Sequence, residues 1–118
     1  MAERKTMNLL DPISIIQFEA YNTAKEKGWH EEPDKSVGEA IALMHSELSE
    51  ALEEYRNNPD NEIYTVNGKP EGIGIELADC VIRIMDFCGQ HNIDLALCMQ
   101  KKMEYNKTRS HRHGGKKI

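Results

Sequence analysis

EGIGIELADCVIRIMDFCGQH, from Glu71 to His91, carries apolar residues almost all the way round a helix. Ile73, Leu77, Cys80, Val81, Ile84 and Cys88 fall on one side, and Ile75, Ala78, Ile82 and Met85 on another. Only Glu76, Asp79, Arg83 and Asp86 form a charged strip, at spacings of three and four that keep them on one face. A helix of this kind is expected to be central, buried on several faces, with its charged strip lining a cleft. A chain of 118 residues has little to cover such a helix, so a homo-oligomer, dimer or tetramer, is expected.

Upstream, Ser36-x-x-Glu39 matches a capping box and opens a helix to about Asn57. Ala40, Met44, Leu48, Ala51 and Tyr55 make its apolar stripe, with Glu47, Glu50 and Glu54 on the flank. The chain therefore holds two acid pairs at helical spacing, Glu47-x-x-Glu50 and Glu76-x-x-Asp79. If the two helices lie side by side, four carboxylates converge and repel one another, which calls for a cation. Oxygen donors without His or Cys favour Mg²⁺, with Mn²⁺ as substitute, over Zn²⁺. A di-iron bundle site wants Glu-x-x-His, and Glu50 and Asp79 stand where those histidines would be.

The remaining segments complete an all-α domain of four to five helices. Asp11-Pro12 reads as an N-cap and first helical position, opening a helix with Ile13, Ile16, Phe18, Ala20, Tyr21 and Ala24 that ends near Gly28. Between Asn58 and Pro70, Ile63 to Val66 precede Asn67-Gly68, the signal of a loop or very short hairpin. After Asn92 or Asp94 as cap, Leu95, Leu97, Met99 and Met103 continue a fourth helix to about Arg109. One domain spans residues 1–118, with a helical core over about 12–109 and a basic tail, expected mobile, at 110–118.

Net charge is -5, yet the C-terminal stretch is basic, with Lys101, Lys102, Lys107, Arg109, Arg112, Lys116 and Lys117 against Glu104. An acidic middle with a basic end suits a metal-bound anionic ligand better than nucleic acid. Lys102, Asn106 and Arg109 share a helix face and can clamp phosphate. The cysteines, Cys80, Cys88 and Cys98, form no CxxC pair, which fits a reducing, cytoplasmic setting. No segment approaches the ~20 apolar residues of a membrane span, and Met1 to Leu10 lacks a signal-peptide core. His45 is expected exposed or facing a partner, and His111 and His113 carry no role.

Taken in order, E-L-S-E (Glu47 to Glu50), E-L-A-D (Glu76 to Asp79) and K-x-x-x-N-x-x-R (Lys102 to Arg109) resemble the MazG-type nucleotide pyrophosphohydrolases, over about Phe18 to Arg109. The resemblance implies the all-α NTP pyrophosphatase fold, an oligomer with active sites completed across subunits, and cleavage of a nucleoside triphosphate to monophosphate and pyrophosphate. It implies Glu47, Glu50, Glu76 and Asp79 as metal ligands and catalytic carboxylates. Lys102, Asn106 and Arg109 would then hold phosphates. Trp29 and His30, just before the second helix, offer a flat ring and an imidazole to a nucleobase. Members that cleave dCTP present an aromatic residue shortly after the second acid pair; Arg83 stands on that turn here, and is also placed to pair with Asp79 or Asp86. Two other readings compete: a non-catalytic helical nucleotide-binding or regulatory module, and a phosphoribosyl-ATP pyrophosphatase within the same superfamily.

Overall fold

A computed structural model describes residues 11–110. The tail beyond Ser110, with His111 and His113, and the segment Met1–Leu10 lie outside the described residues. The order is α1 (Pro12–Glu26), α2 (Val37–Asn57), β1 (Tyr64–Val66), β2 (Lys69–Glu71), α3 (Ile73–Gln90) and α4 (Leu95–Thr108). The described chain is thus mostly helical, with one two-stranded antiparallel hairpin.

Local chemistry sets each boundary. Asp11 accepts the Ile13 N–H at 2.8 Å, and Pro12 takes the first helical position, where its missing donor costs nothing. Ser36 and Glu39 close a reciprocal capping box on α2, with bonds of 3.1 and 3.2 Å. Asn67 and Gly68, at φ 51° and 81°, make the two-residue turn that right-twisted strands favour. Asn92, at φ 57°, ends α3 as the Ile93 N–H returns to the Cys88 carbonyl at 2.8 Å. Asp94 then caps α4 by accepting the Leu97 N–H. Asn92 and Asp94, alternatives in the sequence, thus each terminate a different helix.

α3 is the central element, packing against α1 on one side and α2 on the other, with β2 over its start. Its contact with α2 runs through small side chains: Ala40 and Ala51 are buried on α2, opposite Cys80 of α3, whose thiol reaches the Met44 carbonyl at 3.5 Å. Met85, Cys88 and Gly89 are also buried on α3, Gly89 against Tyr21 of α1, with Met85 alone worth about 1.5–3 kcal/mol of apolar burial. Gln17 is the most enclosed side chain, and its amide donates to the Ile93 carbonyl at 2.9 Å, tying α1 to the α3–α4 connection.

Three expectations change. α2 is rotated from its hydropathy phase: Leu48 and Tyr55 are half exposed, whereas Glu47 points inward between Ala40 and Ala51. α1 buries Ser14 and Gln17 and leaves Ile16 and Phe18 half exposed. Leu77, Val81 and Ile82 keep α3 from being covered on all sides. α4 leans mainly on α1 and buries none of its residues.

The α1–α3 crossing is close enough that a Cβ added to Gly89 would sit 2.5 Å from Cβ of Tyr21. Gly89→Ala is therefore expected to destabilise the fold by about 1–3 kcal/mol through overpacking, read as a lower urea midpoint with an unchanged slope.

Candidate functional site

The α2–α3 face carries the acids. Glu47 lies at its centre, its side chain 8% exposed, and its Oε1 accepts the Arg83 Nε–H at 2.7 Å. Its other oxygen, Oε2, is buried with no hydrogen-bond partner. A buried carboxylate oxygen facing no donor is costly, and a bound cation is one group that would offset that cost. Glu50, one turn along α2, is exposed, and Glu76 on α3 is partly buried; together with Glu47 they offer ligand oxygens that all lie within 4.8 Å of one another.

Electrostatics at the cluster follow from crowding. Burial pushes Glu76 up to about 7, helped by a hydrogen bond with Glu50 and the charges of Glu50, Asp79 and Glu47. Burial and the Glu47 charge also raise Asp79, against the opposing pull of Arg83 and Lys69. Asp79 lies outside the tight three-glutamate group, on its exposed margin.

Lys69 is a cation that the sequence reading passed over. The hairpin turn carries it toward the acids: hydrogen bonding and charge from Glu71, at 3.3 Å, raise its pKa, and Glu76 and Asp79 add to the effect. At the far end of α2, Glu54 accepts from the Tyr64 hydroxyl at 2.7 Å, anchoring β1 and pushing that phenol up to about 12. The Asn67-Gly68 signal was the clue that a reversal would bring Lys69 back along the chain.

Beside the acids, α1 and α3 enclose a cleft of about 570 Å³ walled by Ile16, Ala20, Ala24, Trp29 and Ile82, with Glu47, Asp79, Arg83 and Asp86 at its polar side. Its volume lies in the range of small-molecule sites. Trp29 is held there by the end of α1: Gly28 takes φ 82°, and the Trp29 N–H returns to the Ala24 carbonyl at 3.0 Å. The indole is 56% exposed, and the Arg83 guanidinium lies 5.8 Å from its ring centroid. Arg83 therefore joins Glu47 to Trp29, rather than pairing with Asp79 or Asp86 as the sequence suggested.

His30 turns away from the cleft walls. Its ring is 8% exposed, with Nδ1 3.1 Å from Asp34 and Nε2 2.7 Å from Asp86, and it packs on Tyr21. Gln90 also donates to Asp34. Burial raises the Asp34 carboxyl, but hydrogen bonds from His30, the Lys35 N–H and Gln90, with the Lys35 charge, hold it down at about 2. This polar clasp pins the α1–α2 connection to α3, with His30 inside it and Trp29 on the cleft wall. Asp34 and Asp86 lie too far apart in sequence for spacing alone to have paired them through His30.

Lys102 and Asn106 sit on α4, whereas Arg109 is its C-cap in an extended conformation, off the helical face the three were expected to share; Lys102 and Arg109 both lie over the Tyr105 ring, at 5.2 and 5.6 Å. Among the described residues, no hydrogen bond or ion pair joins them to the acid cluster. His45 is exposed, as expected. Cys80 and Cys88 are buried free thiols and Cys98 is exposed. No helix among the described residues is long and apolar enough to cross a membrane.

Two measurements check this geometry. Glu76 titrates near 7 in the folded chain against an ordinary 4.5. The folded state thus holds a proton that the unfolded chain has released between those values, and stability in chelator should fall as pH rises from about 4.5 to about 7. Glu76→Gln should flatten that decline in thermal melts; a slope that persists contradicts the assignment. Separately, His30→Ala should lower the melting temperature by stranding two carboxylates, while Trp29→Ala should stay within about 0.5 kcal/mol of the parent.

Comparison with known proteins brings no relative to this site: no family model, curated protein or solved structure matches the chain.

Proposed function

We propose that the chain is a Mg²⁺-dependent nucleoside triphosphate diphosphatase, hydrolysing (d)NTP to (d)NMP and pyrophosphate in the manner of the MazG-like enzymes its motifs resemble. The observation that carries the reading is Glu47: buried on the α2–α3 face, held by Arg83 through one oxygen, with the other lacking a partner beside Glu50 and Glu76. A carboxylate fixed through one oxygen and open at the other is a ligand oriented by an outer hydrogen bond.

On this reading Glu47, Glu50 and Glu76 hold the ion, and Asp79 stands at the margin, placed to accept a proton from water. When bound, Mg²⁺ supplies positive charge for the phosphates and makes water a better nucleophile. Lys69 adds positive charge at the cluster from the same chain. Lys102, Asn106 and Arg109 serve as the phosphate clamp of a neighbouring copy in a homo-oligomer. That assignment is supported by the lack, among the described residues, of any hydrogen bond or ion pair between them and their own acids, and by an α4 that buries none of its residues in its own chain. The exposed Leu48, Leu52, Tyr55, Leu77 and Val81 beside the cluster offer apolar area for such an assembly.

The test is direct. Purified protein with Mg²⁺ and a panel of nucleoside triphosphates should release pyrophosphate and monophosphate, whereas orthophosphate with a diphosphate contradicts the proposal. Glu50→Gln and Asp79→Asn should each lower turnover by at least about a hundredfold, with the helical circular dichroism retained.

A further inference from the structure

The hairpin tip carries a reactive pair that neither the acid cluster nor the cleft uses. Asn67 is the one asparagine of the chain followed by a glycine, Gly68. Both residues are exposed, and at φ 51° and 81° they make the turn between Val66 and Lys69. Among the described residues, neither the Asn67 side chain nor the Gly68 N–H has a hydrogen-bond partner. A Cβ built on Gly68 would meet nothing within 4 Å, so the space beside its backbone is open. The strands below the tip are three residues each, and a ladder that short opens at its end at little cost.

A backbone nitrogen that follows asparagine can attack the side-chain amide carbon when no Cβ on its own residue stands in the way. At the tip, the Gly68 nitrogen bonds to Cγ of Asn67, the Cγ–Nδ2 bond breaks, and ammonia leaves with the Gly68 amide proton. Water then opens the five-membered imide. Attack at Cγ gives aspartate, whereas attack at the main-chain carbonyl carbon leaves the chain running through Cβ and Cγ, as isoaspartate. Elsewhere the nitrogen is withheld: Ile93 N–H, after Asn92, bonds the Cys88 carbonyl at 2.8 Å, Asn58 N–H, after Asn57, bonds the Glu54 carbonyl at 2.8 Å, and Pro59 has no N–H to lose. Isoaspartate adds one backbone atom to a turn that closes on two residues, which breaks the Val66–Lys69 pairing. We propose that Asn67 is a site of spontaneous deamidation, and that its isoaspartyl product releases the register of the strand carrying Lys69. The reaction needs only water, and it runs whether or not the chain hydrolyses nucleotides.

Incubation of the full chain in warm, mildly alkaline buffer, followed by peptide mapping with tandem mass spectrometry, measures amide-to-acid conversion at each asparagine. Asn67 should convert at least about tenfold faster than any other. It should yield two acids, aspartyl and isoaspartyl, that separate on chromatography, and in water enriched in heavy oxygen both should carry the label. In the purified isoaspartyl form, the β1–β2 amides should lose at least about tenfold of their hydrogen-exchange protection. Asn67→Asp, which keeps a pair that the turn favours, should retain that protection and so separates the longer backbone from the added charge. Conversion at Asn67 no faster than elsewhere, a single acid product, or products without the label would each overturn the site. Protection kept in the isoaspartyl form, or lost equally in Asn67→Asp, would overturn the release of register.

Discussion

The α2–α3 face is organised around a charge that folding alone would not choose to bury. Glu47 occupies the inward position between Ala40 and Ala51, where an apolar side chain would be cheaper. Arg83 offsets part of the cost by donating to Oε1, but its side chain remains 28% exposed and meets only that oxygen. Glu50 and Glu76 then bring further negative charge within a few ångströms, and Glu76 answers by retaining its proton toward neutrality. The small neighbours, Ala40, Ala51 and Cys80, are what let the helices approach closely enough for the acids to meet. Close packing and repulsion are thus two consequences of one helix–helix contact.

Most of the element order was legible because helix and turn boundaries are short-range chemistry. Asp11-Pro12, the Ser36–Glu39 box, Asn67-Gly68 and Asp94 each act within four residues, and each stands where the pattern put it. The rotation of α2 was not legible, since hydropathy assumes that the most apolar stripe faces inward. Here Leu48 and Tyr55 are half exposed and Glu47 is not. The acid pairs were still identifiable, because spacing fixes which residues share a turn whatever the phase. What escaped were pairings across long sequence separations: Arg83 with Glu47, and His30 with Asp86. Nothing in a periodic pattern states which of several acids an arginine or histidine will select.

The exposed apolar residues fit the same logic. Leu48, Leu52 and Tyr55 on α2 and Leu77 and Val81 on α3 belong to the elements that carry the acids. Were those faces covered by another copy, water would be displaced from the surroundings of Glu47, Glu50 and Glu76. Their interaction with a cation would strengthen as the effective dielectric fell. The assembly proposed for phosphate binding would therefore also sharpen the proposed metal site, whether or not α4 lends its cations.

Arg83 gives the cleft and the acid cluster a shared component. Through Nε it fixes the carboxylate proposed to hold the ion, and its guanidinium lies 5.8 Å from the centroid of the Trp29 ring. A ligand that takes up the terminal amino groups stiffens the guanidinium, and with it the hydrogen bond to Glu47 Oε1. The oxygen left for the ion is then held in one place instead of several. Coupling of this kind needs no movement of helices, because both sites act on one side chain anchored on α3. It also explains why lysine would be a poor replacement at this position: a single ammonium cannot donate to the glutamate, sit beside the indole and present two further parallel donors at once.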